Sequence, residues 1–304
     1  MIRGRKDREK KKDRRGDKGT NQVRNKIINI IIIILICSVS GTASFAADPS
    51  IVIAPKKVGP GDIMTVAVKN AAGAVEGTFN GKRIYFNTAK TGPKAVVGID
   101  LKAEPGTYQL ALTVEGKQLT RDVVISKKRY PVQKLTLPED MVVLSPANEA
   151  RADREQARMA AIWPFDSQRI WQGNFVDPIP GKPLGTPFGV RRIINAIPKN
   201  PHSGVDITAD EGDPVKAPND AVVILIDDQF YSGKSVVLDH GQGIYTMFFH
   251  LSKINVKYGQ AVRKGDVIAL VGSTGRATGA HLHWGARIQG AKVDPLALIK
   301  LKLD

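Results

Sequence analysis

Apolar and polar residues alternate in a series of short segments after position 50, and this alternation limits the fold more than any other feature. In the stretch TYQLALTV, Tyr108, Leu110, Leu112 and Val114 alternate with polar or small residues, which places them on one face of a β-strand. About six such segments are separated by turn residues and show no helical periodicity. The pattern predicts a mainly β fold that begins with an immunoglobulin-like β-sandwich in residues 47–129.

The next segment, residues 130–162, has a different composition. It begins with prolines and becomes rich in Ala, Arg and Glu. Asn148 or Ser145 could cap a helix that runs from about Glu149 to Ala161, and Pro164 would end it. The segment is therefore predicted to be a linker with one short helix.

Residues 1–46 have the pattern of an export segment. A head rich in Lys and Arg ends at Lys26 and is followed by an apolar run over residues 27–36 and then by small residues. This order is typical of a secretory signal peptide, with cleavage expected after Ala46. Retention of residues 27–46 as a membrane anchor is the alternative. The protein is expected to be exported to the periplasm or cell envelope, where an anchor would hold it at the inner membrane.

Charge and cysteine content exclude several classes of function. Half of the formal net charge of +16 lies in the first 26 residues, and no basic face is interleaved with aromatic residues, so no nucleic-acid partner is predicted. Cys37 follows Ile36, where a lipid-attachment motif requires a small residue, and is assigned to the apolar run. A mature chain without Cys37 has neither disulfides nor thiolate metal ligands.

The strand pattern returns at Trp163 and predicts a second β-rich domain in residues 163–304. All five histidines lie in this domain, at His202, His240, His250, His281 and His283. In HSGVD, positions i and i+4 of an extended chain face the same way, and in HLHWG the two histidines share one strand face. His202, Asp206 and one histidine of HLH would supply two imidazoles and one carboxylate, which is the ligand set of a catalytic zinc site.

A zinc site of this kind favours hydrolysis, because Zn²⁺ lowers the pKa of a bound water to about 7. His250, at the end of the segment IYTMFFHL, and the histidine of HLH that is not a ligand are candidate proton carriers. Spacing alone does not say which of His281 and His283 binds the metal. A single histidine on an apolar strand is more often a packed residue than a ligand, so the prediction depends on the whole set.

Six segments of the second domain resemble a known family. TPFGVRR, HSGVDI, VVLDHGQG, FFHL, VRKGDVIALVGSTGRATGAHLHWG and VDPLAL occur in this order between about Pro187 and Leu298. This order and spacing are similar to those of lysostaphin-type (LytM-like) zinc endopeptidases. The resemblance implies a LytM-like antiparallel β-sheet peptidase domain that cleaves peptide cross-links or bridges of bacterial peptidoglycan.

The resemblance also implies roles for individual residues. His202, Asp206 and His283 would bind Zn²⁺. His250 and His281 would be catalytic, because they would orient or deprotonate water and stabilise the oxyanion of the tetrahedral intermediate. His240 matches a position outside the metal set and is predicted to be structural.

Three positions depart from the commonest form of the family pattern. Ala280 stands where proline is frequent, Gly285 where glutamate often follows the aromatic residue, and Phe248 where tyrosine is common. They concern substrate preference rather than the reaction. The alternative functions are a non-catalytic LytM-like activator of cell-wall amidases, which would lack bound zinc, and a wall-binding module formed by the sandwich.

Overall fold

Strands dominate the architecture, as the alternating pattern predicts. A computed structural model describes residues 47–89, 91–136, 143–163 and 167–303, and in these ranges it contains twenty β-strands and two α-helices. None of the helices in these ranges is long and apolar enough to cross a membrane. The predicted export segment, residues 1–46, lies outside the described residues.

The first domain consists of two four-stranded antiparallel sheets. Its strands are β1 (Ser50–Ala54), β2 (Ile63–Lys69), β3 (Val75–Phe79), β4 (Lys82–Ile84), β5 (Phe86–Ala89), β6 (Gly92–Gly98), β7 (Gly106–Val114) and β8 (Lys117–Ile125). One sheet has the order β1-β2-β6-β5 and the other β4-β3-β7-β8. Alternate residues of both sheets, among them Val66, Val97, Leu110 and Leu112, form one apolar core between them.

The segment GTFNGKRIYF differs from its prediction as one strand. It contributes to three strands, β3, β4 and β5, because the chain reverses at Asn80 and Gly81. Both residues have positive φ, 48° and 75°, and Asn-Gly favours the two-residue turns that join antiparallel strands. The turn therefore creates an additional hairpin.

The linker helix is confirmed, with somewhat wider limits than predicted. Helix α1 spans Pro146–Ile162 and begins after Ser145, whose hydroxyl oxygen accepts a hydrogen bond from the Asn148 amide at 3.3 Å. Ser145 is thus the cap, and Asn148 lies inside the helix. Pro164, predicted to end the helix, lies outside the described residues.

The start of the linker contains a strand that the sequence reading does not predict. β9 (Val132–Leu135) pairs in parallel with β10 (Arg191–Ile194), which also pairs with β11 (Ile197–Pro198). Three of the four β9 residues are exposed. An exposed strand gives no alternating burial pattern, so its sequence resembles that of a linker.

The second domain is built on a nine-stranded sheet. The remaining elements are β12 (Gly204–Thr208), β13 (Pro214–Lys216), β14 (Ala221–Gln229), β15 (Gly233–Gly241), β16 (Ile244–Ile254), β17 (Ala261–Val262), β18 (Val267–Val271), β19 (His281–Ile288), β20 (Ala291–Val293) and α2 (Pro295–Lys300). The main order is β12-β19-β16-β15-β14-β17, and its described pairings are antiparallel. Its largest fully buried side chains include Trp284, Tyr245 and Phe248.

The two β domains share a third apolar cluster. Ile63 and Val96 of the first domain pack in it with Trp171, Ile244 and Val293 of the second. The contact is close, because a Cβ atom added at Gly98 would lie 2.9 Å from Val293 Cγ1. The two domains are therefore joined by buried side chains as well as by the linker.

His240 on β15 is a fully buried histidine of the second domain. Its Nδ1–H donates to the Asp220 carbonyl at 2.9 Å, and its Nε2 accepts a hydrogen bond from the Thr246 hydroxyl at 2.8 Å. Burial lowers its pKa to about 4, although the Asp220 carbonyl opposes the shift. Both ring nitrogens are used by neighbouring groups, which agrees with the structural role predicted for this residue.

We expect His240 to make stability depend on pH. The unfolded chain protonates this histidine below about pH 6.5, whereas the folded chain keeps it neutral down to about pH 4. Acidification from pH 7 to 4 should therefore lower the free energy of unfolding by an amount on the order of 3 kcal/mol through this histidine. Urea denaturation measures the free energy of unfolding of the native protein and of His240→Gln. The difference between these two values should shrink as pH falls. A constant difference over this range would contradict the prediction.

Candidate active site

The pairing of β12 with β19 brings the predicted ligands together. Asp206 lies directly opposite His283, and Thr208 lies opposite His281. Along β19, His281 and His283 lie on one face and are partly exposed, while Leu282 and Trp284 are fully buried on the other face. The alternation predicted for HLH is therefore confirmed.

His202 reaches the same point from the segment before β12. Its Nε2 lies 3.0 Å from Asp206 Oδ1 and 3.0 Å from His283 Nδ1, and His283 Nδ1 lies 2.9 Å from Asp206 Oδ1. The three side chains offer ligand atoms within 4.8 Å of one another. His202, Asp206 and His283 thus form a cluster that can hold a metal ion.

The hydrogen-bond pattern of the cluster fits a cation. His202 Nδ1 lies 2.9 Å from the Pro187 carbonyl oxygen, and because a carbonyl only accepts, this nitrogen carries the proton. The lone pair of His202 Nε2 then points toward Asp206 Oδ1 and His283 Nδ1. Three electron-pair donors meet at one place, and metal-binding histidines commonly donate their second N–H to a backbone carbonyl in this way.

The protonation states of the cluster also suit metal binding. Burial would raise the pKa of Asp206, but its close contacts with the His202 and His283 imidazoles hold the pKa of this carboxyl well below its usual range. Burial lowers the pKa of His283 to about 4, partly opposed by Asp206. At neutral pH the cluster therefore contains an ionised carboxylate and a neutral His283, and metals bind these forms.

His250 and His281 lie beside the cluster. Their ring centroids are 4.7 Å apart, and His281 Nε2 is 3.9 Å from Asp206 Oδ1. His250 Nδ1 donates to the Thr274 carbonyl and His281 Nδ1 to the Gly279 carbonyl, each at 2.9 Å. Both rings therefore carry their proton on Nδ1 and leave the Nε2 lone pair available, which is the tautomer that a general base requires.

The backbone at His250 is held in an uncommon conformation. Its φ is +62°, and the pairing of β15 with β16 is irregular at this point, with Lys234 opposite Leu251 and Val236 opposite Phe248. The bulge turns the His250 amide toward the Ser232 carbonyl, to which it donates at 2.8 Å. Bulges often re-aim a side chain at functional sites. Burial also lowers the pKa of His250, which favours the neutral ring.

A groove of about 210 Å³ extends from His283 to the linker helix. Met247, Phe249 and Gly285 line it from the sheet, and Met159 and Trp163 line it from α1 and its C-terminal end. Two cationic residues, Arg287 and Lys292, also face this groove. The sequence reading misses both, although continuing the period-two pattern from His283 would have placed Arg287 on the same strand face.

All five residues that the family pattern implies for the site are therefore close together, and His240 lies apart from them in the core. The sequence profile of Peptidase family M23 matches residues 200–295, a range that contains the five. A crystal structure described as a peptidase M23 from Pseudomonas aeruginosa is 34% identical in sequence, superposes with a TM-score of 0.66, and aligns with 80% of this chain and 95% of its own.

The chain belongs to peptidase family M23.

Curated relatives of this M23 domain include proteins named as endopeptidases. The DD-carboxypeptidase/endopeptidase Mpg of Neisseria meningitidis is 38% identical over 128 residues, which are 42% of this chain and 30% of Mpg. The peptidoglycan DD-endopeptidase ShyA of Vibrio cholerae is 43% identical over 96 residues, 32% of this chain and 22% of ShyA. The matched part of the chain spans less than a third of the length of these relatives.

The positive φ of His250 leads to a stability prediction. An L-residue in the left-handed region is strained by about 1–2 kcal/mol, whereas glycine is not. We expect His250→Gly to be more stable than His250→Ala by up to about 1 kcal/mol, because the higher chain entropy of unfolded glycine offsets part of the relief. Chemical denaturation of the two variants measures this. A more stable alanine variant would mean that the backbone relaxes when the imidazole is removed.

Proposed function

We propose that this protein is a zinc-dependent endopeptidase that hydrolyses peptide cross-links or bridges of bacterial peptidoglycan during cell-wall remodelling. The observation that carries the proposal is the convergence of His202 Nε2, Asp206 Oδ1 and His283 Nδ1 beside His250 and His281. Family membership and the peptidoglycan endopeptidases among the relatives support the reaction and the substrate class.

His202, Asp206 and His283 would hold the metal. Two imidazoles and one carboxylate form a ligand set typical of catalytic zinc, and no thiolate or redox group is required. When bound, zinc supplies a Lewis acid that polarises the amide carbonyl and makes water acidic enough to lose a proton near neutral pH. The backbone carbonyl at Pro187 fixes the tautomer and orientation of His202.

His250 and His281 carry out the proton transfers in this proposal. One Nε2 accepts a proton as the water oxygen bonds to the carbonyl carbon, and the other accepts a hydrogen bond that orients this water. The imidazolium formed in this way stabilises the oxygen that becomes negative. The C–N bond then breaks, and the proton passes to the leaving amine nitrogen. The carbonyl groups of Thr274 and Gly279 keep both rings oriented for this task.

We also propose that the first domain is immunoglobulin-like. The sheet orders β1-β2-β6-β5 and β4-β3-β7-β8 support this, because they correspond to the A-B-E-D and C-F-G sheets of such sandwiches with one added edge strand. In this proposal residues 47–129 form the sandwich, residues 130–162 the linker and residues 163–304 the peptidase domain.

The proposed substrate requires export, and residues 1–46 would direct it. The basic head, the apolar run and the small residues before Ala47 support a signal peptide, with an anchor formed by residues 27–46 as the alternative form. Both place the peptidase domain in the periplasm or cell envelope, where peptidoglycan lies.

Metal removal tests the reaction directly. We expect the purified protein to release peptides from defined peptidoglycan sacculi. Peptide release should stop when the metal is chelated and resume when zinc is added back. Asp206→Ala should lower the rate by more than about 100-fold, because even groups that only support metal ligands cost 10–100-fold when removed. Asp122→Ala, which removes an exposed carboxylate on β8, is the matched control. Undiminished hydrolysis by Asp206→Ala would refute the ligand assignment.

Zinc content separates the ligands from the catalytic histidines. We expect His202→Ala to lose bound zinc, and His281→Ala to retain about one zinc per chain while its kcat falls by about 10²–10⁴-fold. Elemental analysis of each variant, together with its rate on sacculi, measures both quantities. A native protein that never loads zinc would instead favour the non-catalytic activator.

A further inference from the structure

The face of β19 that carries His283 continues toward the C-terminal end of the strand. With a period of two, Gly285 and Arg287 follow His283 on the same face, and Arg287 lies about 13 Å farther along the strand. Gly285 has no side chain that would fill the groove. The space there is narrow, since a Cβ atom at this position would lie 2.9 Å from Met247 Cε. The groove therefore runs without interruption from His283 to Arg287.

Two cations meet at the far end of this groove. Arg287 pairs directly with Lys292 across the β19–β20 ladder, and like charges at directly opposed positions destabilise a sheet. Burial lowers the pKa of both side chains. Among the described residues, no carboxylate forms an ion pair with either of them.

The donors of Arg287 are mostly unused. Its Nη1 donates to the Gly290 carbonyl at 3.0 Å, and its guanidinium lies 4.3 Å from the ring centroid of Trp163. Its Nε is buried and has no hydrogen-bond acceptor in the described part of the chain. A planar guanidinium fixed against an aromatic ring, with donors to spare, is well suited to bind a carboxylate.

Two carboxylates of this region, Asp100 and Glu155, form hydrogen bonds with other groups. Asp100 accepts the backbone amides of Lys102 and Lys292, at 2.8 Å each. Glu155, on the α1 wall of the groove, accepts from Arg151 Nε at 2.7 Å and from the Phe230 amide at 2.8 Å. Asp100 therefore offsets part of the charge of Arg287 and Lys292, but neither side chain has a carboxylate hydrogen-bond partner in the described part of the chain.

We propose that Arg287 and Lys292 form a subsite for a carboxylate group of the peptide substrate. The peptide lies along the groove, and its carboxylate is separated by Gly285 from the cluster of His202, Asp206 and His283. The inference rests on the proposed function, since it assumes that a peptide occupies this groove. It predicts that the protein selects stem peptides with a free carboxylate over peptides in which the same group is a carboxamide. Arg287 and Lys292 would then determine specificity without taking part in bond cleavage.

Binding without turnover provides the test. The full chain, treated with a chelator to block hydrolysis, is titrated calorimetrically with two synthetic stem peptides that differ only in one carboxylate or carboxamide. We expect the acid to bind at least about tenfold more tightly. In Arg287→Gln and in Lys292→Gln the preference should fall to within about threefold, and Arg287→Lys should keep part of it. Equal binding of the two peptides by the native protein would overturn the subsite.

Two further variants control for structural effects. Arg169 stacks on Trp171 at 3.9 Å, as Arg287 does on Trp163, but lies outside this groove, so Arg169→Gln should keep the full preference. Gly285→Glu leaves both cations in place and adds a carboxylate beside Arg287, so it should abolish the preference. The three variants Arg287→Gln, Lys292→Gln and Gly285→Glu must have melting curves like that of the native protein. If all three keep the preference for the acid, Arg287 only packs against Trp163 and the proposal is wrong.

Hydrolysis of the same two peptides by the zinc-loaded protein separates this proposal from the proposed function. A binding preference without any cleavage supports the subsite and counts against the endopeptidase. Cleavage of both peptides at equal kcat/KM, with equal binding, supports the endopeptidase and overturns the subsite.

Discussion

The antiparallel register between β12 and β19 is the constraint on which the site depends. A slip of one residue would turn every side chain of β19 to the opposite face, which would bury His283 in the core and expose Trp284. The fully buried Leu282 and Trp284 make such a slip very unfavourable, since each would lose its apolar burial. The core on one face of the strand therefore fixes the position of His283, and with it the candidate metal site, on the other face.

The site combines this regular register with one local irregularity. Asp206 and His283 need only a correct ladder, whereas His250 needs the bulge and the positive φ that bring it to His281. Backbone strain of this kind persists only where the surrounding structure compensates for it. Regular pairing thus brings Asp206 and His283 together, and a distorted strand brings His250 beside them.

The sequence predicts that His202, Asp206 and a histidine of HLH lie close together, because this information is local. HxxxD in an extended segment and HxH on a strand place side chains by simple periodicity, and alternation also predicts the core positions of β7. Spacing leaves open which histidine of HLH faces Asp206, because this depends on the partner strand. Family resemblance provided that assignment, and the pairing of Asp206 with His283 agrees with it.

Other features could not be predicted from local patterns. β9 has an exposed sequence typical of a linker, and its pairing with β10 joins positions about 60 residues apart. The helix pattern of α1 gives its limits but not the surface on which it packs, so its contribution to the groove wall is a tertiary property. The Arg287–Lys292 pair cannot be predicted for a similar reason, since a lysine opposite an arginine is visible only once β19 and β20 are paired.

The apolar cluster that joins the two β domains has a mechanical consequence. Ile63 and Val96 are buried together with Trp171 and Val293, so turning one domain against the other would expose this cluster to water. The direction in which the groove opens is therefore fixed relative to the sandwich. A torque applied to one domain would pass to the other through these buried side chains, and the linker alone would not absorb it.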